Sequence, residues 1–206
     1  MFITFEGIDL SGKSTQAKML YKYLKSKKKK VILVREPGGT KASERIRDIL
    51  LDKSLKKMTA LTEFLLFSAS RRQLTEEVIK PHLKKGYTVI CDRYYDSSTA
   101  YQGYGGMIDL KTIKKINSIA AEKLNPDITF FVDIDMGESS KRRMVIKKTK
   151  DRMESKKEEY FKKVINGYRK LSSLHKDRFV RLDGKKSIDE IQTEILSTLR
   201  KRKYNV

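Results

Sequence analysis

A glycine-rich segment near the start of the chain has the residue types and spacing of a phosphate-binding loop. Residues 7–14, GIDLSGKS, fit the pattern G-x-x-x-x-G-K-[ST] between a predicted strand and a predicted helix. Glycines let backbone N–H groups face phosphate oxygens, Lys13 reaches the β- and γ-phosphates, and the Ser14 hydroxyl suits Mg²⁺. The alternative is a chance match in a turn. The pattern predicts a nucleotide site made of Gly7, Ile8, Asp9, Leu10, Ser11, Gly12, Lys13, Ser14 and Thr15.

Two further polar loops directly follow predicted strands. Residues 35–40, REPGGT, follow the second strand, and Asp92 and Arg93 follow the third. In parallel sheets the carboxyl ends of the strands are where ligands bind. Asp92 there suits a carboxylate associated with Mg²⁺, and Arg93 can hold a phosphate with two N–H groups. The alternatives are an ordinary turn for residues 35–40 and a surface ion pair between Asp92 and Arg93.

Two helical segments carry side chains suited to a base and a sugar. Phe67 and Arg71 are four residues apart, so they share a helix face, where a ring can stack on a base and a guanidinium can donate to its carbonyl. The alternative places Phe67 in the core and Arg71 on the surface. Hydroxyls, a ring and an amide occupy one side of a further predicted helical turn, namely Ser97, Ser98, Tyr101 and Gln102.

The elements that position these residues alternate between strand and helix. Short apolar runs predict strands over residues 2–6, 31–34, 87–91, 128–132 and 179–182. Apolar residues at helical spacing predict helices over 14–25, 42–51, 59–83 (bent or interrupted near Pro81), 110–124, 137–147, 157–175 and 188–203. Such alternation predicts an α/β protein with a parallel sheet and helices on both faces. Apolar periodicity lapses over 147–157, which predicts a surface loop or a lid.

Composition limits the class of protein and leaves the role of the charge open. The 206 residues suit one domain, 1–206, and 38% hydrophobic residues with 3 prolines exclude a mostly disordered chain. No apolar run approaches the roughly 18 residues needed to span a bilayer, the first residues do not resemble a signal peptide, and a lone Cys91 favours a reducing, cytoplasmic setting. The net charge of +21 either attracts polyanions or reflects lysines on solvated helix faces.

Together these segments resemble the thymidylate kinase family of P-loop nucleoside monophosphate kinases over essentially the whole chain. The similarity rests on residues 5–15, on residues 35–40, on Phe67 with Arg71, on residues 92–103, and on residues 151–154 at the lid. The resemblance implies a three-layer P-loop kinase fold with a five-stranded parallel sheet and a mobile lid at about 143–157, usually in a homodimer. It implies transfer of the γ-phosphoryl group of ATP to dTMP, giving dTDP and ADP, with Mg²⁺ and without a nucleic-acid or membrane partner.

The resemblance also assigns roles to single residues. Asp9 would meet the 3′-hydroxyl of dTMP, Arg47 and Arg93 its phosphate. Phe67 would stack on thymine, Arg71 would donate to O4, and Tyr101 would exclude a ribose 2′-hydroxyl. Arg143 would stack on adenine near residues 183–185, and Ser14 and Asp92 would meet the metal. The whole dTMP pocket would comprise Asp9, Pro37, Arg47, Phe67, Arg71, Arg93, Ser97, Ser98, Tyr101 and Gln102.

Position 10 departs from some members of the family, which carry an arginine in the P-loop where this chain has Leu10. Another branch supplies that charge from basic lid residues and prefers an arginine at the place of Lys147. Lys147 and Arg152 are therefore both candidates, because an arginine or lysine delivered to a transferring phosphoryl group can accelerate the reaction by ~10³-fold or more. The predicted catalytic residues are Lys13, Asp9, Arg93, Lys147 and Arg152.

Two other functions remain open on the residues alone. One is another P-loop nucleoside monophosphate or deoxynucleoside kinase, which acceptor-specificity assays would identify. The other is a P-loop ATPase whose positive charge binds nucleic acid, which DNA-stimulated ATP hydrolysis without acceptor phosphorylation would reveal. The chain shows no recognisable nucleic-acid-binding motif.

Overall fold

A five-stranded parallel sheet forms the centre of the computed structural model, which describes residues 1–146 and 151–204. Its strands are β1 (Phe2–Glu6), β2 (Val31–Arg35), β3 (Thr88–Asp92), β4 (Ile128–Asp133) and β5 (Phe179–Asp183), in the order β2-β3-β1-β4-β5. All four pairings are parallel. The predicted fold class is confirmed, and each predicted strand lies within one residue of the observed one. Because β1 is central, the loop that follows it opens at the middle of the carboxyl edge.

Helices connect successive strands. They are α1 (Lys13–Ser26), α2 (Lys41–Leu51), α3 (Ala60–Leu74), α4 (Lys80–Lys84), α5 (Tyr95–Ser98), α6 (Leu110–Ala120), α7 (Met136–Ile146), α8 (Glu158–Leu174) and α9 (Ile188–Lys201). A π-helical turn, Thr75–Ile79, separates α3 from α4, and a second, Thr99–Gly105, extends α5. The interruption predicted near Pro81 is present, as the π-helical turn Thr75–Ile79 that ends two residues before it. Because Ile79 is also helical, Pro81 follows continuous helical backbone, where its ring and missing N–H do not fit the regular hydrogen-bond pattern.

Neighbouring residues of β4 point to the two faces of the sheet and meet different helices. Phe130 packs with Phe5 in the core that α1 and α9 cover. Phe131 stacks on Tyr168 of α8, with ring centroids 5.1 Å apart, on the other face. Burial of both faces explains why the strands read as continuous apolar runs.

Side-chain caps fix the start of α2 and α3. Thr40 accepts a hydrogen bond from the Ser43 amide at the start of α2, and Thr59 accepts one from the Thr62 amide at the start of α3. These caps set where Arg47, Phe67 and Arg71 stand on their helices. Among the described helices, none combines the length and hydropathy that crossing a bilayer requires.

Candidate active site

The P-loop curls between β1 and α1 as the glycine spacing predicts. Gly7 has a φ of 143° and approaches β4 so closely that a Cβ there would lie 2.6 Å from the Val132 carbonyl oxygen. Gly12 has a φ of 99° immediately before α1, whose first N–H groups face the loop. One cavity is lined by residues 9–15, while Gly7 and Ile8 lie behind it in the loop. The loop presents backbone donors at the end of a helix, which suits phosphate oxygens.

Lys13 is buried within this loop. Its side chain is 7% exposed, and its ammonium lies 3.8 Å from Asp9 Oδ1. Burial and the positive charge of Arg93 lower the pKa of Lys13, against the attraction of Asp92, Asp9 and Glu6. A buried ammonium in this position gains most from an additional anion.

Asp92 and Ser14 have the chemistry of a magnesium site. Asp92 ends β3 beside Phe5 of β1. Its Oδ1 is buried and accepts no hydrogen bond from the part of the chain that the structure describes. Ser14 lines the P-loop cavity. A buried carboxylate oxygen without a donor and a hydroxyl are ligands that Mg²⁺ accepts, and phosphate and water complete its shell in kinases.

Arg142, rather than the predicted Arg143, lies in the P-loop cavity. Its Nη1 donates to the carbonyls of Leu10 and Ser11, both at 3.1 Å, and its Nη2 donates to Gly184 O at 2.6 Å. Arg143 instead pairs with Glu154 at 3.1 Å and lines a separate cavity. The two side chains diverge because neighbouring residues on a helix point about 100° apart.

A second cavity lies beside the P-loop and brings the predicted acceptor residues together. Its lining comprises Asp9, Pro37, Arg47, Phe67, Arg71, Arg93, Ser97, Ser98, Tyr101 and Gln102, with Glu36, Leu51, Asp151 and Met153 in addition. Asp9 lines both cavities. The residues arrive from four loops and four helical segments, so only the folded sheet edge assembles them.

Arg71 forms the buried end of this second cavity. It is 1% exposed, so the alternative of a surface arginine is wrong. Its Nε donates to Glu36 Oε2 at 2.8 Å, its Nη1 to Asn117 at 2.9 Å, and its Nη2 to Ser98 at 2.9 Å. Burial raises the pKa of Glu36 to about 7, although Arg71 opposes the shift. Because Arg71 Nε and Glu36 Oε2 are only 2.8 Å apart, we treat the two side chains as an ion pair, with Glu36 negative and Arg71 positive.

Arg93 lines the second cavity and bonds to the P-loop. It has a φ of 73°, which turns the chain sharply after β3. Its Nη2 donates to Asp9 Oδ1 at 2.8 Å and to the Tyr101 hydroxyl at 3.3 Å, and its Nη1 donates to Gly7 O at 2.9 Å. Its guanidinium also lies 5.1 Å from the centre of the Tyr101 ring. Arg93 is thus pre-oriented before any ligand binds.

Behind Arg93 stands Glu6, a buried carboxyl that the sequence analysis did not single out. It accepts hydrogen bonds from the Tyr94 amide at 2.8 Å, from Ser97 Oγ at 2.6 Å and from the Tyr168 hydroxyl at 2.8 Å. Burial raises its pKa to about 7. Ser97 and Tyr168 in turn receive hydrogen bonds from Arg93. A glutamate at the last position of an otherwise apolar strand was the available signal.

Of the two candidate lid cations, the structure describes Arg152. Arg152 is committed to protein partners: its Nη1 bonds Glu63 Oε2 at 2.7 Å and its Nε donates to Leu50 O at 2.8 Å. Lys147 lies outside the described residues. Glu63 is a second carboxylate that sequence reasoning missed, although it stands one helical turn before Phe67 on the same face of α3.

Comparison with known proteins gives one consistent family. The thymidylate kinase family model matches residues 5–195. A thymidylate kinase from Thermosipho africanus is 50% identical over 201 residues, which are 98% of each chain. One from Sulfurihydrogenibium is 45% identical, covering 98% of this chain and 97% of the relative. The crystal structure of thymidylate kinase from Ehrlichia chaffeensis superposes with a TM-score of 0.78 at 34% identity, covering 97% of this chain and 98% of that one.

Proposed function

Because this chain belongs to the thymidylate kinase family and so transfers the γ-phosphoryl group of ATP to dTMP, we propose that its P-loop cavity holds ATP and its second cavity holds dTMP. The observation that carries this assignment is that Asp9 lines both cavities. A donor and an acceptor bound there would meet beside Lys13 and Arg93, which is the proximity that direct transfer requires.

At the acceptor, each side chain has a proposed task. Phe67 stacks on thymine and the buried Arg71 donates to O4. Arg47 and Arg93 hold the phosphate. Asp9 meets the 3′-hydroxyl and Tyr101 blocks a 2′-hydroxyl. Support comes from their common cavity and from the charge-assisted bond between Arg93 and Asp9, which orients both groups in advance.

Catalysis needs alignment and charge neutralisation rather than a strong base. The acceptor is a phosphate dianion and already a nucleophile, so the proposed task of Lys13 and Arg93 is to stabilise charge on the phosphoryl groups. Leu10 supplies no charge. We retain Lys147 as the proposed lid cation, and we propose for Arg152 a fastening role through Glu63. We propose Arg142 in place of Arg143 beside the adenine, because Arg142 lies between the P-loop and Gly184.

Ser14 and Asp92 are the proposed residues for Mg²⁺ that accompanies ATP. The buried Oδ1 of Asp92 supports this assignment. When bound, the ion would neutralise phosphate charge and bridge phosphate oxygens.

We also propose a single domain over 1–206 with a lid at about 143–157, a cytoplasmic setting, and a homodimer. Exposed apolar side chains on adjoining helices support self-association, since Leu65 of α3 is 47% exposed and Ile119 of α6 is 65% exposed. Sedimentation of the purified chain and of Leu65→Glu tests this proposal, because the charged variant should sediment as the smaller species.

One coupled assay of ADP release tests the proposed acceptor pocket. We expect release that depends on dTMP, with kcat/KM lower by about 10- to 100-fold for dUMP, because a lost methyl group costs ~1–3 kcal/mol. TMP with a ribose should be poorer still, and CMP and thymidine inactive. Equal kcat/KM for dTMP and its ribose counterpart would contradict the role of Tyr101. Added DNA should leave ATP hydrolysis unchanged.

A further inference from the structure

Glu63 collects hydrogen bonds from two separate parts of the chain. It lies in the first turn of α3 and is 2% exposed. Its Oε1 accepts from Gln102 Nε2 at 3.0 Å and from Lys156 Nζ at 3.0 Å, and its Oε2 accepts from Arg152 Nη1 at 2.7 Å. Gln102 lines the proposed acceptor cavity. Arg152 and Lys156 lie in the segment before α8.

Glu63 remains a carboxylate despite its burial. Burial alone would raise its pKa, but the charge of Lys156 and the hydrogen bonds from Gln102, Lys156 and Arg152 lower the pKa below the usual range. An ionised carboxylate only accepts hydrogen bonds. Its neighbours must therefore turn donors toward it.

This requirement decides the orientation of the Gln102 amide. The two ends of a glutamine amide look alike in shape and differ only in hydrogen-bonding character, so the partner selects the orientation. Facing Glu63, Gln102 must direct its NH₂ group to the carboxylate. Its Oε1 accepts no hydrogen bond from residues 1–146 and 151–204, and it is the end left for a ligand in the cavity.

We propose that Glu63 is a specificity-determining positioning residue, which fixes the Gln102 amide so that Oε1 accepts the N3–H of thymine or uracil. This inference rests on the proposed placement of dTMP. Arg71 offers only donors, and Gln102 so oriented offers an acceptor. That order complements O4 and N3–H of thymine. Cytosine presents the reverse order, an amino group at C4 and an acceptor at N3, so the fixed amide excludes it.

Arg152 and Lys156 then act on base selection without touching the base. Each contributes a positive charge to Glu63, and together they keep it ionised and in place. Removal of one cation leaves the other, so the orientation of Gln102 should survive loss of Lys156.

The variant Glu63→Gln tests the proposal on the intact chain. A glutamine at position 63 can donate as well as accept, so the Gln102 amide is free to present either end. We expect the ratio of kcat/KM for dUMP over dCMP to fall about tenfold or more. The ratio for dTMP over dUMP should stay within about threefold, because those two bases present the same N3–H. A general loss of packing would not separate the two ratios in this way.

Four further variants complete the test. Glu122→Gln is the matched control: it neutralises a carboxylate that pairs with Arg72 and Lys80 and lines neither cavity, so it should keep the dUMP/dCMP ratio of the parent. Gln102→Leu should lower that ratio, and adding Glu63→Gln to it should change the ratio no further, since coupled residues are not additive. If Glu63→Gln does not fold, Glu63→Leu with Arg152→Leu removes the buried pair as a unit and is read by the same ratio.

The outcomes distinguish failure of the roles of Glu63 and Gln102 from failure of the proposed function. A folded Glu63→Gln or Glu63→Leu/Arg152→Leu chain that keeps the parental dUMP/dCMP ratio overturns the role of Glu63, and an unchanged ratio in Gln102→Leu overturns the role of Gln102. Both results leave the proposed function intact. Loss of dTMP-dependent ADP release from the unaltered chain would instead remove the proposed function itself.

Discussion

The P-loop and the acceptor cavity meet at Asp9, yet they are built in different ways. The P-loop is a continuous stretch of backbone at the start of α1, shaped by Gly7 and Gly12. The acceptor cavity consists of side chains from distant segments, and buried ion pairs such as Glu36–Arg71 hold them in place. A phosphate site made of backbone N–H groups can form from one continuous segment of sequence. A cavity lined by buried charged side chains forms only when both partners of each ion pair are in place, because an unpaired buried charge is costly.

The largest effect is expected from removing Lys13, the one cation among residues 7–15 of the P-loop. We expect Lys13→Met to lower kcat by ~10³-fold or more, since Lys13 stabilises charge on the transferred group. The melting temperature should be maintained, because the ion pair that Lys13 makes with Asp9 is long, at 3.8 Å. Steady-state kinetics and thermal melting check both parts. Near-normal turnover would remove the P-loop assignment.

The acceptor cavity should respond in the opposite way, through stability. Arg71→Leu leaves Glu36 buried without its partner, so the free energy of unfolding should fall by about 3–5 kcal/mol. Binding of dTMP should be lost as well. Urea unfolding measures the first effect and isothermal titration with dTMP the second.

The matched double variant Arg71→Leu/Glu36→Leu isolates the cause of that instability. It removes both charges and should recover most of the lost stability without restoring dTMP binding. A single variant as stable as the parent chain would show that the ion pair does not hold the cavity together.

Lys147 and Arg152 have different proposed roles, so we expect their variants to differ. Lys147→Ala should lower kcat about 100-fold with little effect on dTMP binding, because its contact forms mainly in the reacting complex. Arg152→Ala should mainly reduce the free energy of unfolding, by about 1–3 kcal/mol, since it deprives the buried Glu63 of a partner. Kinetics and urea unfolding on both variants separate the roles. The reverse pattern would make Arg152 the catalytic cation.

The smallest expected effect concerns P-loop backbone strain. Leu10 has a φ of 66°, which glycine adopts without strain and other residues adopt at a cost. Leu10→Gly and Leu10→Ala both lose the leucine side chain, so their difference reports the backbone alone. We expect the glycine variant to be more stable by about 0.5–1 kcal/mol. Equal unfolding free energies would show that the loop relaxes at this position.

How far the sequence predicts the structure depends on whether a signal is local. The strands and most helix bounds follow from apolar periodicity, because it records which residues meet the core. Pro81 signalled an interruption of the long helical stretch, but not that it takes the form of the π-helical turn Thr75–Ile79, since one extra residue in a turn barely alters that periodicity. Arg142 replaced Arg143 at the P-loop for a related reason: only the packing of α7 decides which neighbour faces the loop.

The buried carboxylates show the limit most clearly. Nothing in the sequence distinguishes three glutamates from surface residues, yet all three are buried beside the second cavity: Glu6, Glu36 and Glu63. Their partners lie far along the chain: Glu36 meets Arg71, and Glu63 meets Gln102 and Arg152. Spacing along one helix cannot reveal a contact made across elements.

Residue type and short-range spacing were enough to predict the parallel sheet and the P-loop, and the resemblance to the thymidylate kinase family supplied the side chains expected in the second cavity. The orientation of those side chains depends on contacts that form only in the folded chain. In the folded chain Arg152 bonds to Glu63, Arg142 lies against the P-loop, and the Gln102 amide donates to Glu63. The physical reason is that a buried donor or acceptor is oriented by the partner it meets, and folding chooses that partner.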